Sequence, residues 1–360
     1  ALDEVPNSAW FTNRIGLFWM TPEQAAQGPT RDGGPDRSEK LIISAAKTQG
    51  VSPGFRLKDK RGHEYFIRFD PKGYLGMSSA ADVITTKILH DAGYWVPDDV
   101  ALSFKRDDLV IGPGVTVREA HGQKRAMTEA DIDTILAKAD RAPDGSWRAL
   151  ASLKLEGHPI GPFDWQGRRK DDPNDAVRHE DRRELRAFRI FAAWLGHYDT
   201  KQGNTLDSWV EEDGRHYVRH YVRDFGSTLG ASAFGAYPRY NYEYSFDLPA
   251  IAGRAAALGL HEDTWRQIRR PPGLAEIGYF DNRGFDPEEF KPLVPNGAFA
   301  NFTRRDGYWA AKIISAFTDE HLRAIVATAA YADPAAADYM VRTLAERRDR
   351  WRDLAGKFRS

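Results

Sequence analysis

The chain has no cysteine and only four methionines in 360 residues. Without a thiol there is no disulfide framework, no Cys-ligated metal site and no thiol chemistry. No apolar run approaches the roughly 18 residues that a membrane-spanning helix needs. Net charge is missing too. The 51 Lys and Arg stand against 52 Asp and Glu, which argues against binding nucleic acid by bulk attraction to phosphate. There is no G-x-S-x-G elbow, no Walker A loop and no internal repeat. Zero cysteine suits an oxidising space, and together with a first residue of Ala1 it makes a periplasmic or secreted protein the expectation. Many cytosolic proteins also lack cysteine, so a cytoplasmic location is the alternative.

What is present is ample core: 41% hydrophobic and 12% aromatic residues, enough for one large two-lobed unit or two domains. Residues 1–40 read as an irregular arm pinned by Trp10, Phe11 and Trp19. Three strand-like runs come next, Leu41 to Ala46, Phe55 to Lys58 and Tyr65 to Phe69, separated by Gly-containing turns as in an antiparallel meander. Val83, Ile84, Ile88, Leu89 and Ala92 have helical spacing, closed by Gly93. Strands are expected near Val100 to Phe104, around the Gly112-Pro113-Gly114 turn and at Trp147 to Leu155, with a short helix at Glu129 to Ala139. Past Gly157 the pattern turns helical. Leu185, Phe188, Ala192 and Leu195 mark one helix, and others are expected at 248–258, 305–317, 319–330 and 334–354. A strand-rich first part and a helix-rich second part predict an α+β fold: an arm at 1–40, one lobe at 41–158, another at 159–360, and a cleft between them.

The most informative stretch begins at the end of the 180–195 helix, where His197, Asp199, Lys201 and Asn204 form H-x-D-x-K-x-x-N. Protein kinases use this register in their catalytic loop, with the Asp accepting a substrate hydroxyl proton and the Asn on a metal. Taken singly, Asp199 can cap a turn and Asn204 can sit in a left-handed position. The adjoining segment strengthens the kinase reading. Thr205 to Val210 and Arg215 to Val222 read as a hairpin running into Asp224-Phe225-Gly226. Such a hairpin returns Asp224 beside Asn204, and two oxygen ligands on adjacent strand ends suit a hard ion such as Mg²⁺ or Mn²⁺.

The first lobe offers a check. A kinase places a cation on its third strand and an acid on the next helix. Here these are Arg68 and Asp82, where Lys and Glu are usual. The longer base and the shorter acid conserve the span of the pair, although a guanidinium is a planar fork and a bulkier donor than an ammonium. Lys47, just before Gly50, is a further candidate for the missing ammonium, although a strand-end lysine is ordinarily solvated. The turn from Thr48 to Gly54 sits where a phosphate cover belongs but lacks a full G-x-G-x-x-G.

On these residues the chain resembles the atypical kinase-like superfamily, nearest the HipA-type and CotH-type kinases and the lipid-kinase-like branch, and within it a group of uncharacterised, often exported bacterial proteins. Segments carrying the likeness are Val5 to Arg14, Ile67 to Pro71, Gly93 to Pro97, His197 to Lys201 and Arg223 to Gly230. The resemblance implies a two-lobed protein-kinase-like fold binding ATP and a divalent metal between the lobes. It implies Asp199 and Lys201 as catalytic residues, Asn204 and Asp224 as metal ligands, and Arg68, positioned by Asp82, on the phosphates. It further implies a hinge from Glu156 to Gly161 facing adenine. The acceptor hydroxyl, on a protein or a small molecule, and the oligomeric state are left open.

Arg68 in place of Lys keeps two alternatives alive on the same fold: a pseudokinase and an enzyme transferring AMP. A third is an exported glycan-binding or structural protein, since ten Trp and 14 Tyr allow stacking on sugars. Tyr237, Tyr240, Tyr242, Tyr244 and Phe246 occupy the activation-segment position and serve either as a substrate wall or as packing. His216 and His220 share a strand face, but two ligands do not make a zinc site.

Overall fold

The computed structural model describes residues 4–46, 54–119, 122–238, 241–256 and 264–359. Lys47 and the turn after it, together with Tyr240, lie outside the described residues.

The small lobe is built on strands β1 (Leu41–Ala46), β2 (Gly54–Lys58) and β3 (Glu64–Phe69), antiparallel as the turns predicted. Period-two alternation gives the sheet two faces. Ile67 and Phe69 join Phe55 and Leu57 in a core on one side, while Arg68 points to the other. The Arg68 side is covered by helix α2 (Met77–Ala92), which comes after the short α1 (Pro22–Gln27) of the arm. Next come β4 (Asp99–Phe104), β5 (Leu109–Ile111), β6 (Thr116–Arg118), β7 (Lys124–Ala126), helix α3 (Glu129–Leu136) and β8 (Trp147–Leu153). The six-stranded order is β4-β8-β3-β2-β1-β5.

Two expectations change here. The Gly112-Pro113-Gly114 turn does not join a hairpin: β5 pairs parallel with β1, closing an edge that would otherwise be open, and β6 pairs with β7. α3 ends at Leu136 and packs Ile132 and Leu136 onto the Phe69 face of the sheet.

α2 is held by its surroundings more than by its own sequence. Gly76, its N-cap, offers no side chain. Instead Asp70, just after β3, accepts from Gly76 N at 2.9 Å, Ser79 N at 2.7 Å and the Ser79 hydroxyl at 2.9 Å. That satisfies donors which a helix start leaves bare. All of α2 but Ser78 and His90 is buried, because the sheet lies on one side and the large lobe on the other. Gly93 ends it at φ 131°, where a Cβ would come within 2.2 Å of the Phe11 ring, so only glycine fits.

The large lobe opens with β9 (His158–Gly161), a strand the sequence did not announce, and α4 (Arg183–Leu195). β10 (Thr205–Glu212) and β11 (Arg215–Val222) form the expected hairpin, with β9 along the outer edge of β10. Beyond come α5 (Leu248–Ala256), α6 (Gly297–Ala300), α7 (Arg304–Ser315), α8 (Asp319–Ala327) and α9 (Pro334–Arg359). α9 starts where Asp333 accepts from Ala335 N at 2.9 Å, and it runs past the expected end at Leu354, through Gly356, to Arg359.

The arm is structured differently from expectation. Trp10 and Phe11 are buried, but Trp19 is 81% exposed and anchors nothing. Thr21 and Gln24 cap each other reciprocally around Pro22, which makes 22–27 a helix. Phe11 packs against Trp309 of α7, and Trp10 stacks on His220 at 3.5 Å. His220 Nδ1 also lies 2.6 Å from Asp207, and His216 stacks on Trp209, so the two histidines have separate structural duties. None of the helices is long and apolar enough to cross a membrane among the described residues.

Candidate active site

α4 stops at Gly196 in the left-handed region (φ 62°), and the chain enters the 197–204 loop. His197 is buried between Phe188 and Phe225, edge-on to both, and burial pushes its pKa down to about 4. It braces the loop. Asp199 Oδ2 accepts from Lys201 Nζ at 3.0 Å, while its Oδ1 is buried without a hydrogen bond. Asn204 Nδ2 donates to the Asp199 carbonyl at 2.8 Å. β10 and β11 pair without a slip from Thr205 opposite Val222 to Glu212 opposite Arg215, and Arg223 N then donates to Asn204 O at 3.0 Å. The hairpin thus returns Asp224 beside the loop. The left-handed residue is Asp224 itself (φ 67°), not Asn204, a costly conformation for a non-glycine that neighbours must enforce.

Those neighbours are on α2. Asp82 Oδ1 accepts from Phe225 N at 2.7 Å, Ser78 Oγ donates to Gly226 O at 2.8 Å, and the Thr85 and Thr228 hydroxyls meet at 2.8 Å. A Cβ on Gly226 would sit 2.5 Å from Ser78 Oγ, so glycine is required for this approach. Arg68 reaches in from β3 and bridges two carboxylates: Nη2 to Asp82 at 3.0 Å and Nη1 to Asp224. Burial disfavours the guanidinium charge, but Asp82 and Asp224 outweigh it and hold the pKa above the ordinary arginine value. Burial likewise works against ionised Asp224, and Arg68 overrides it, leaving that carboxyl below the usual range. Asp82, deeper, is pushed up by burial, so its charge depends on Arg68.

A cleft of about 630 Å³ opens between the sheet and the loop. Asp199, Lys201, Arg68 and Asp224 all line it, and Asp82 stands behind Arg68. Asn204 is buried beneath the loop with its amide on the backbone and does not line the cleft. Glu156 is also absent from the lining. Its carbonyl takes the Ser208 hydroxyl at 2.6 Å and its carboxylate turns outward to Arg31 at 3.0 Å, because β9 draws the chain onto β10 at this point. Lys154, Leu155 and, from the expected hinge, Pro159 stand at the cleft wall. The aromatic stretch divides: Phe234 and Phe246 are exposed and Tyr237 nearly half so, with Ala233 lining the cleft.

Ser78 and Asp99 line the cleft without any sequence motif to mark them, and Arg223, which opens the Arg223 to Gly230 segment, lines it too. A polar residue opening a strand was the only sign at Asp99, and it says nothing about which face the side chain takes.

Among the described residues, no group of three or more His, Asp or Glu side chains is disposed to hold a metal ion alone. The acids nonetheless suit a hard ion that brings its own phosphate ligands, since Mg²⁺ is typically held by one or two carboxylates plus substrate oxygens. The half-exposed Asp224 carboxylate is the oxygen donor on offer.

No family model matches this chain, and no curated protein matches it. Among solved structures it is similar to a Helicobacter pylori proinflammatory kinase, CtkA, at 11% identity over 90% of this chain and 99% of that one, with a TM-score of 0.43. It is also similar to the Golgi casein kinase, at 11% identity over 92% and 75% of the two chains with a TM-score of 0.34. The same kinase with Mn/ADP bound gives 12% identity over 89% and 73% and a TM-score of 0.36. At these scores the likenesses assign no residue a role.

Proposed function

We propose that the protein is a phosphotransferase of the atypical kinase type, using ATP and a divalent metal to phosphorylate a hydroxyl on a protein or small molecule. The observation that carries the reading is convergence. Asp199, Lys201, Asp224 and Arg68 come from one loop, one hairpin end and one strand to a single cleft, with Arg68 held by Asp82.

In this reading Asp199 accepts the proton of the acceptor hydroxyl; its free Oδ1 is the acceptor atom. Lys201 Nζ, 3.0 Å from the other oxygen, keeps that carboxylate oriented and adds positive charge where the phosphoryl group crosses. Arg68 holds the phosphates, and its two ion pairs fix its fork before the nucleotide arrives. A metal held by Asp224, with Asn204 fixing the loop from beneath, would neutralise charge on the phosphates.

Thermal melting with ATP and Mg²⁺ or Mn²⁺ tests the reading. The wild type should gain several degrees only when nucleotide and metal are both present, and Asp224→Ala should lose that gain. A wild type that melts at the same temperature under every condition overturns the proposal. Transfer of label from γ-labelled but not α-labelled ATP then distinguishes phosphoryl from adenylyl transfer.

A further inference from the structure

We propose that Asp99 reads the base of the nucleotide, and that the cleft selects a purine with an amino group at C6 over one with an oxo group there. This rests on the nucleotide reading above and extends it from the phosphates to the base.

With Arg68, Asp82, Asp199, Lys201 and Asp224 assigned, Asp99 is the remaining acid in the cleft wall among the described residues, and its charge adds to the field around Arg68. Asp99, the first residue of β4, is 1% exposed and lines the cleft. Its Oδ2 accepts from the Thr86 hydroxyl of α2 at 2.8 Å, which fixes the carboxylate plane. Its Oδ1 is buried; the Ser152 hydroxyl interacts with the carboxylate, and lone-pair capacity remains for a ligand donor.

Strand register says which part of a nucleotide would meet it. Asp99 pairs with Ser152, and Ser152 pairs with Phe66, so the three share one level of the sheet on one face. Arg68 is the next residue of β3 on that face, opposite Leu150. Asp99 therefore sits one level away from the phosphate clamp, towards Lys154 and Leu155. Here the walls are apolar, with Ala45 and Phe66 from the sheet and Leu155 and Leu206 across from them. A slot with largely apolar walls and a few polar groups, here Asp99 with Ser152 beside it, binds a flat ring and discriminates by those groups.

With Oδ2 engaged by Thr86 and the Ser152 hydroxyl donating to the same carboxylate, the group faces the base as an acceptor. With the ring in one pose, an amino group at C6 donates to it, whereas an oxo group opposes it with another lone pair; the N1–H of a 6-oxopurine reaches it only if the ring shifts in the slot. Burial pushes the Asp99 carboxyl up to about 6, so it is largely ionised, and an acceptor only, at neutral pH. Asp99→Asn keeps the shape and reverses the chemistry: its carbonyl takes the Thr86 hydroxyl and its NH₂ faces the base.

The test is competition binding of ATP and ITP, which differ at C6 and in the proton that ITP carries on N1, to the full chain with Mg²⁺. The wild type should prefer ATP by at least about tenfold, the scale of one hydrogen bond gained against one lost. Asp99→Asn should reverse the preference. Thr86→Val, which frees the carboxylate plane, should shrink it without reversal. A wild type that binds ATP and ITP equally, or an Asp99→Asn variant with an unchanged ratio, overturns the assignment of Asp99 while leaving the nucleotide reading standing. A wild type that binds neither overturns the nucleotide reading and this one with it. Should Asp99→Asn fail to fold, the wild-type ratio and Thr86→Val still decide.

Discussion

Arg68 bridges two carboxylates with a planar, pre-organised fork, where a lysine would offer a single point charge. A guanidinium has separate N–H groups diverging in one plane, so Nη2 serves Asp82 while Nη1 serves Asp224. One side chain thus ties β3, α2 and the 224–226 turn together. His197 works by staying neutral. Its pKa falls from the ordinary 6.5 to about 4 because burial penalises the imidazolium. A base whose folded pKa is depressed contributes stability that is complete above 6.5 and drains away as pH drops towards 4. The wild-type melting temperature should therefore fall across pH 6.5 to 4, and His197→Gln, which cannot be protonated, should fall less over the same interval. Parallel curves for the two proteins would remove His197 from the account.

At the scale of elements, the decisive piece is α2, which joins the sheet to the D-F-G. Its N-terminus depends on Asp70, whose carboxylate takes three donors. Asp70→Ala leaves those donors buried and unpaired, a cost of about 2–3 kcal/mol. It should also loosen Asp82 on the next turn of the same helix. Urea denaturation measures the first effect, and weaker nucleotide binding the second. Loss of stability below about 0.5 kcal/mol, the size of a neutral surface change, would show that α2 is held by packing alone.

The elements were legible to unequal degrees. β1 and β11 match their expected ends because turns bound them and alternation runs through them. β9 was missed: it is short, carries Pro159 and Gly161, and exists only because β10 offers it an edge. The arm reads as irregular because its helix signal is one turn long and its anchors lie on distant elements.

For the molecule as a whole, the two expected lobes do not have separate cores. The arm, α2 and Leu150 of the sheet belong to one apolar cluster with α4, α7, α8 and α9, while the other core fills the Phe69 face of the sheet. Helix α2 thus belongs to the small lobe by sequence and to the large lobe by burial. Calorimetry should give a single transition with calorimetric and van't Hoff enthalpies in agreement, and residues 41–158 alone should not fold, since they expose the buried length of α2. Two resolved transitions would contradict a shared core.

What the sequence determined by itself is what lies close along the chain. His197 to Gly226 is thirty residues of loop and hairpin, and pairing without a slip makes the approach of Asp224 to Asn204 a consequence of counting. The same counting allowed the Arg68 and Asp82 pair, 14 residues apart across one turn and one helix. Only the tertiary structure decided what those groups meet. Arg68 and Asp224 are 156 residues apart, and no periodicity fixes a contact at that distance. Glu156 turns its carboxylate out to Arg31 while Pro159 of the same segment lines the cleft, and Asp99 enters it because the register of β4 on β8 turns its side chain inward. Local pattern sets which face a residue takes on its own element; the cleft is made where faces of three elements meet, and that depends on how the whole core packs.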